Sequence, residues 1–248
     1  MKKKLCKITA LLLAAALSLG GCGQPGAGKK STDSTQQAEE QTWDTKDDQS
    51  KSDKKGPEIE GLTYESTMDL TYATEFDVYY YKDGYKLLDV HEDRQYLVVP
   101  EGKEAPEGLP ENLVVLQQPL DHIYMAATAI MSLVDAVDAI DQVKFSGVNA
   151  SGWYVEDAKK AMESGDMIYA GKYSEPDYET LVNGECDLAV ESTMILHTPK
   201  VQEMIEDLDI PVFVDYSSYE SHPLGRTEWI KLYLSLIHIS EPTRHSLI

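Results

Sequence analysis

Residues 187–214 read DLAVESTMILHTPKVQEMIEDLDIPVFV, and this stretch decides the fold class. Residues 187–191 and 210–214 are short apolar runs typical of buried strands. Between them, Thr198 and Pro199 suit the N-cap and first position of a helix. A strand, a helix and a strand in this order predict a βαβ unit with parallel strands. Four apolar residues of that helix are expected to face the core: Val201, Met204, Ile205 and Leu208.

The same alternation of strands and helices extends on both sides of this unit. The expected strands are 113–116 (apolar and covered on both faces), 144–148 and 166–170. The expected helices are 154–164, ended by Gly165, then 177–182, then one from Pro223 that carries Trp229, Ile230 and Leu232. A further helix is expected from the spacing of Ile123, Ala127, Ile130, Val134 and Val137, with Asp121 as its N-cap. The fold class is α/β: a single Rossmann-like lobe, with a parallel sheet and helices on both faces.

A β-hairpin is expected before this lobe. Residues 76–81 (FDVYYY) and 85–90 (YKLLDV) are rich in β-formers, and residues 82–84 (KDG) supply an Asp-Gly turn between them. Residues 95–99 predict a third strand. Tyrosines 79, 80, 81 and 85 fall in this hairpin, where an ordinary β surface is the favoured interpretation and iron or haem ligation the alternative.

The N-terminus predicts export and lipidation. Residues 1–21 combine a basic start with about a dozen apolar residues, too few to span a bilayer, so they predict a signal peptide. Residues 19–22 (LGGC) resemble a lipobox, which implies that Cys22 is lipidated and becomes the mature N-terminus. The expected location is the outer face of the cytoplasmic membrane.

Residues 22–58 are expected to form a lipid-anchored, disordered linker, because they are polar and carry almost no aliphatic side chains. Residues 59–233 are expected to form the folded lobe. Cys186 is the one cysteine within that range, so no disulfide inside the lobe is possible. We interpret Cys186 as a small core residue rather than a nucleophile.

Charge and motifs exclude several functions. The formal net charge is −21, and removal of residues 1–21, with four lysines and no acid, leaves it near −25. Nucleic acid is therefore not an expected partner, because phosphate contacts need clustered Lys and Arg. No Gly-x-Ser-x-Gly motif, no Cys–His nucleophile pairing and no glycine-rich phosphate loop occurs, so no catalysis is expected. No cofactor is expected, and no spacing resembles a zinc or calcium site, although His197 and His222 are possible axial ligands.

Four segments carry a family resemblance: 169–173 (YAGKY), 185–192 (ECDLAVES), 208–212 (LDIPV) and 218–231 (SYESHPLGRTEWIK). With them, residues 70–233 resemble the substrate-binding lipoproteins of ABC importers for iron–siderophore complexes and cobalamin. The resemblance implies a ligand held between two α/β lobes and surface glutamates that dock to a permease. This chain departs from the family pattern because the second lobe is missing.

Candidate site residues follow from the rule that ligands bind beyond the carboxyl ends of parallel strands. The expected ligand-binding residues are Gln118, Trp153, Tyr154, Lys172, Tyr173, Ser192, Ser218, Tyr219 and Arg226. For Tyr219 and Trp229, packing is as good an interpretation as ligand contact. The candidates for docking to a permease, as the resemblance implies, are Glu203, Glu206 and Glu220.

The last residues predict a break in the natural sequence. Residues 234–244 read LSLIHISEPTR, which resembles the translation of a transposase-type sequencing adapter over eleven consecutive positions. Residues 234–248 are therefore expected to be a non-native tail that packs poorly.

The expected function is delivery of an iron chelate to an ABC importer, with cobalamin or haem as the alternative within that class. A lipoprotein that uses a similar lobe for adhesion or sensing is the alternative from another class.

Overall fold

The structure is a computed structural model, and it describes residues 55–91, 93–110 and 112–237. The chain divides into two units, Met1–Asp48 and Gln49–Ile248, and every described residue belongs to the second. The predicted signal peptide, the Cys22 lipidation site, most of the linker and residues 238–248 lie outside the described residues.

A first sheet is formed by five strands in the order β1-β2-β3-β4-β5. Neighbouring strands are antiparallel from β1 to β4, whereas β5 runs parallel to β4. The predicted hairpin is confirmed within this sheet, and the turn uses left-handed backbone at Asp83 (φ 63°) and Gly84 (φ 86°). The strands are β1 (Tyr64–Thr67), β2 (Phe76–Tyr81), β3 (Lys86–Val90), β4 (Gln95–Val99) and β5 (Leu113–Gln117).

A second sheet contains five parallel strands in the order β12-β11-β6-β7-β8. Two short strands, β9 (Gly171–Lys172) and β10 (Glu175–Pro176), pair separately as a small antiparallel hairpin. The parallel sheet and its flanking helices confirm the α/β class. The strands are β6 (Ile123–Met125), β7 (Val143–Ser146), β8 (Ile168–Tyr169), β11 (Leu188–Ser192) and β12 (Val212–Asp215).

Six α-helices occur in the described residues, and the sequence signals for their ends are mostly confirmed. Gly165 ends α2 in the left-handed conformation, and Asp177 caps α3 by accepting a hydrogen bond from the Thr180 N–H. None of these helices is long and apolar enough to cross a membrane. They are α1 (Met131–Ala136), α2 (Glu156–Ser164), α3 (Tyr178–Asn183), α4 (Pro199–Glu206), α5 (Pro223–Glu228) and α6 (Ile230–Ile237).

The prediction of a helix starting near Asp121 is wrong for its first half. Residues Ile123–Met125 form β6, the central strand of the second sheet, and the helix begins only at Met131. All three residues of β6 are buried. A short run that is apolar on every side fits a buried strand as well as a helix, and only the pairing with β7 and β11 decides between them.

Two burial expectations are also corrected. The run 113–116 is not covered on both faces, because Val115 is exposed. On α4, Ile205 is fully buried as expected, but Met204 is exposed, and so is Leu208, which lies beyond the end of the helix.

The C-terminal helix α6 packs against the first sheet. Trp229 and Leu232 are fully buried, and the Lys86 Nζ donates a hydrogen bond to the Ser235 carbonyl at 2.6 Å. Residues 235–237 are buried as well. The expectation of poor packing is therefore wrong for the described part of the tail, residues 234–237, in which only Leu234 is exposed.

Candidate functional site

The five parallel strands of the second sheet bring their following loops to one edge. We call this edge, formed by residues 126–130, 147–155, 170–177, 193–197 and 216–222, the carboxyl edge. The chain runs from β6 outward to β7 and β8, and then returns to β11 and β12 on the other side of β6. The direction of winding thus reverses between β6 and β11, and ligands of open α/β sheets bind at such a reversal.

Four of the thirteen large apolar side chains that are exposed in the described residues lie on this edge. Tyr154 is 98% exposed, Tyr219 is 61% exposed and Met194 is 46% exposed. The rings of Tyr219 and Tyr216 lie 5.5 Å apart, which holds the Tyr219 ring against a buried neighbour. Exposed aromatic faces of this kind suit a flat, partly apolar ligand.

Some polar groups of the carboxyl edge form hydrogen bonds within the loops or with the adjacent helix. The Ser192 hydroxyl accepts a hydrogen bond from the Met194 N–H at 3.4 Å. The Ser218 carbonyl accepts a hydrogen bond from the Arg226 guanidinium at 3.0 Å. The Ser218 residue is exposed. Ser192 ends β11 and Ser218 lies in the loop after β12, whereas Arg226 lies on α5, just beyond the residues that define the carboxyl edge. Their part in ligand binding stays a prediction.

The two predicted cationic residues are both engaged. Lys172 on β9 pairs with Glu175 on β10 at 3.2 Å, so its charge is compensated within the small hairpin. Arg226 is exposed and donates to a neutral carbonyl. Tyr173, between β9 and β10, is half-buried. Among the described residues, Arg226 is thus the predicted cation without an acidic partner, and it lies on α5 beside this edge.

Two predicted ligand-binding residues are corrected. Gln118 follows β5 in the first sheet, is 3% exposed, and donates its side-chain N–H to the Leu236 carbonyl at 3.2 Å. Trp153 is 7% exposed, and its indole N–H donates to the Ser146 hydroxyl at 3.0 Å. Both side chains serve packing, because they are buried and their N–H groups donate inside the protein.

The loop that follows β6 was missed by sequence reasoning. It brings the exposed residues Thr128 and Ala129 to the carboxyl edge beside the point of reversal. Its root is fixed because the Ala126 and Ala127 N–H groups both donate to the Val190 carbonyl of β11. The sequence predicts a helix across the apolar run of β6, so it predicts no loop at this position.

Two glutamates of the segment 218–231 fix the loop that precedes β2. The Glu220 carboxylate accepts the backbone N–H groups of Thr74 and Glu75 and the indole N–H of Trp229. Glu220 is only 2% exposed. Its assignment as a permease-docking residue is therefore wrong, because no partner can reach a carboxylate at that depth.

Glu228 holds the preceding turn of the same loop. Its carboxylate accepts the backbone N–H groups of Thr71, Tyr72 and Ala73 at 2.7–3.1 Å, and the Lys231 Nζ at 2.7 Å. Burial by itself raises the pKa of Glu228, but the hydrogen bonds from Lys231 and from the three backbone groups outweigh it and lower the pKa to about 2.

The remaining docking candidates lie on α4. Glu203 is exposed, whereas Glu206 is half-buried and pairs with Arg94 at 2.8 Å. Of the three predicted glutamates, Glu203 is thus the one whose carboxylate faces solvent and has no ion pair among the described residues.

Several residues that the sequence analysis interpreted as structural rather than as ligands make structural contacts. Tyr79 and Tyr81 are buried in the first sheet, and Trp229 is fully buried. His222 caps α5 by accepting the Leu224 N–H, and its ring stacks on Tyr72 at 4.8 Å. Burial raises the pKa of the Cys186 thiol to about 12, so this residue is the inert core cysteine that was expected.

One cluster of possible metal-ligating side chains could not be predicted from the spacing of residues in the sequence. Ligand atoms of Asp121, His122 and Asp187 lie within 4.8 Å of one another at the amino ends of β6 and β11. The Asp187 carboxylate accepts the backbone N–H groups of Asp121 and His122, which ties the two strand ends together. Because this cluster lies at the edge opposite the reversal loops, it is not part of the carboxyl edge.

Comparisons with known proteins give distant likenesses. No family model matches the chain. An uncharacterized lipoprotein of Methanocaldococcus jannaschii, MJ0878, is 26% identical over 141 residues, which are 52% of this chain and 32% of that protein. The chain thus spans about a third of the length of this relative.

Among solved structures, the crystal structure of holo-ViuP is similar to part of this chain. The match has a TM-score of 0.37 and 18% identity, and it covers 49% of this chain and 40% of that chain.

Proposed function

We propose that this chain is an extracytoplasmic solute-binding lipoprotein that holds an iron chelate for an ABC importer and performs no catalysis. The observation that carries the proposal is the carboxyl edge, where Tyr154 and Tyr219 expose aromatic faces beside the reversal between β6 and β11. The similarity to a protein named as a lipoprotein and the resemblance of segment 218–231 to importer-binding proteins support the same assignment.

The charge of the carboxyl edge favours a ligand with little net charge. Of the predicted edge residues, Arg226 alone offers an uncompensated cation, since Lys172 is paired with Glu175. A trianionic catecholate complex needs several fixed cations to offset its desolvation and the repulsion of a chain with a net charge of −21. A hydroxamate-type chelate is nearly neutral and needs mainly stacking faces and hydrogen bonds.

A corrinoid or a haem is the second candidate ligand. The planar tyrosine faces at positions 154 and 219 are the specific observation that favours a macrocycle. In this role the import function stays the same and only the cargo differs. On α4, Glu203 is the candidate contact for the permease.

Ligand preference is tested by titrating the protein and following its tryptophan fluorescence at physiological salt. We expect a ferric hydroxamate or a cobalamin to bind more tightly than a ferric catecholate. Tyr154→Ala and Tyr219→Ala should each weaken binding by roughly 5- to 30-fold, since a lost stacking face costs about 1–2 kcal/mol.

Met204→Ala is the matched control, because Met204 is an exposed apolar residue of α4 outside the carboxyl edge. Tighter binding of the catecholate would overturn the charge argument. Absence of saturable quenching by all three ligands would contradict the proposed function.

The membrane anchor is tested separately. Cys22→Ser removes the lipobox thiol, so we expect loss of fatty-acid labelling and release of the protein from the membrane fraction. The control is Cys6→Ser, which alters a cysteine of the predicted signal peptide and should leave labelling intact. Labelling of the Cys22→Ser protein at the wild-type level would refute the predicted anchor.

A further inference from the structure

Glu191 is a carboxyl group buried without a hydrogen-bond partner. It is the penultimate residue of β11, pairs with Val214 of β12, and is 0% exposed. Neither of its side-chain oxygens has a hydrogen-bond partner among the described residues. An ionised carboxylate in such a place costs several kcal/mol, so the neutral acid is the form that the folded protein accommodates.

Among the described residues, no cation contributes to the electrostatics of Glu191. Burial alone raises the pKa of Glu191, to about 9, and no charged neighbour contributes to the shift. The titratable groups that interact with it from adjacent elements are Tyr124 on β6 and Tyr178 on α3. On β12 its paired residue is the apolar Val214, and alternation along the strands puts Ser192 and Asp215 on the opposite face of the sheet.

Tyr124 contacts the small hairpin of β9 and β10, which we call the edge hairpin, and Tyr178 lies just after the hairpin in the chain. The Tyr124 hydroxyl donates to the Gly171 carbonyl at 3.0 Å, at the start of the hairpin. Tyr178 is the first residue of α3 and follows Asp177, whose N–H donates to the Ala170 carbonyl at 2.8 Å and closes the hairpin at its base.

The base of the edge hairpin is tightly packed. Gly171 has a φ of 82°, and a Cβ placed there would lie 2.4 Å from the Glu175 carbonyl oxygen. A rearrangement beneath this base therefore moves the hairpin as a unit. The hairpin carries Lys172 and Tyr173, two of the predicted ligand-binding residues.

We infer that Glu191 is a positioning residue whose proton keeps the edge hairpin closed on the second sheet. In the neutral form the carboxyl stays buried beside Tyr124 and Tyr178, and the base of the hairpin remains packed. Loss of the proton demands water around the carboxylate, which is supplied when the base of the hairpin opens. That Lys172 and Tyr173 then leave the ligand rests on the proposed function, but the opening itself does not.

The direction of the pH effect follows from linkage. The pKa of Glu191 is about 9 in the closed form and near the ordinary value of 4.5 when the group is hydrated. The closed form therefore binds the proton more tightly, and opening becomes more favourable as the pH rises between these values. The opening equilibrium is expected to rise about tenfold per pH unit, or about a hundredfold from pH 6 to pH 8.

Amide hydrogen exchange of the full chain tests this inference without any ligand. After correction for intrinsic rates, protection of the Ala170 and Asp177 amides should fall about a hundredfold from pH 6 to pH 8. At each pH these two amides should be less protected than the Leu97 amide on β4, which reports global unfolding. Glu191→Gln, which cannot ionise, should remove the pH dependence at the hairpin amides.

Tyr124→Phe is the comparison variant, because it removes the hydroxyl that donates to Gly171 and leaves Glu191 in place. We expect lower hairpin protection at every pH with the wild-type slope preserved. If Glu191→Gln does not fold, the inference is still tested by the dependence of hairpin protection on pH in the wild type and in Tyr124→Phe. A flat pH profile at the wild-type hairpin amides, exchange equal to that of Leu97 throughout, or a wild-type slope in Glu191→Gln would each overturn the inference. Failure of the ligand titrations alone would count against the proposed function and leave this result standing.

Discussion

Replacing Glu220 by alanine is expected to lower the free energy of unfolding by about 3 kcal/mol. The substitution leaves the fully buried indole N–H of Trp229 without its acceptor, and it removes the acceptor for the Thr74 and Glu75 N–H groups. A buried donor without a partner costs about 1–3 kcal/mol, and the more exposed backbone groups add a smaller amount because water reaches them. Urea unfolding followed by circular dichroism measures the change.

The control for this experiment is Glu203→Ala on α4, which removes an exposed glutamate and should change stability by no more than about 0.5 kcal/mol. Glu220→Gln retains one acceptor but places an amide N–H against donor groups, so we expect an intermediate loss. A Glu220→Ala protein within 1 kcal/mol of wild type, on the order of a single exposed hydrogen bond, would contradict the described geometry.

Glu228 is expected to make the protein sensitive to acid. Its pKa in the folded state is about 2, below the ordinary value of 4.5, so its ionised form stabilises the fold at neutral pH. This stabilisation is fully present above pH 4.5 and is lost as the pH falls toward 2. A shift of this size corresponds to about 3 kcal/mol without screening, and the exposure of Lys231, Thr71 and Tyr72 to solvent lowers the expected contribution to roughly 2 kcal/mol.

The measurement compares wild type with Glu228→Gln in urea at pH 7, 5, 4 and 3. We expect the variant to be less stable by roughly 2 kcal/mol at pH 7 and the difference to shrink steadily below pH 4.5. Taking a difference cancels the titration of all other carboxylates. Glu203→Gln should track wild type at every pH, and a constant gap between wild type and Glu228→Gln would show that the charge of Glu228 is not what stabilises the loop.

These two glutamates give a physical role to the segment 218–231, which carries the family resemblance. Both carboxylates reach back about 150 positions along the chain to hold five consecutive backbone N–H groups, those of residues 71–75. The loop they hold carries Tyr72, which stacks on His222. The same segment therefore builds the entry of α5 and fixes the loop before β2 against Glu220 and His222 of the carboxyl edge.

The sequence determined the elements whose signals are local. The Asp-Gly turn between β2 and β3, the end of α2 at Gly165 and the start of α4 at Thr198 and Pro199 depend on backbone preferences of single residues. Such preferences act within a few positions of the chain, so they can be recognised without knowledge of the fold. The α/β class followed from the order in which these elements succeed one another.

Only the tertiary structure decided which face of an element is covered and which side chains reach the surface. The run 123–125 became the central strand because β7 and β11 pair with it, while β5 became an edge strand with Val115 exposed. Gln118, Trp153 and Glu220 turned out to be buried because their polar atoms find partners on α6, on β7 and on the loop before β2. The sequence does not distinguish Glu191 from other strand residues. Only the tertiary structure shows that its carboxyl group is buried near β12, Tyr124 and Tyr178 without a hydrogen-bond partner among the described residues. Burial depends on contacts between residues far apart in the chain, and no local pattern encodes them.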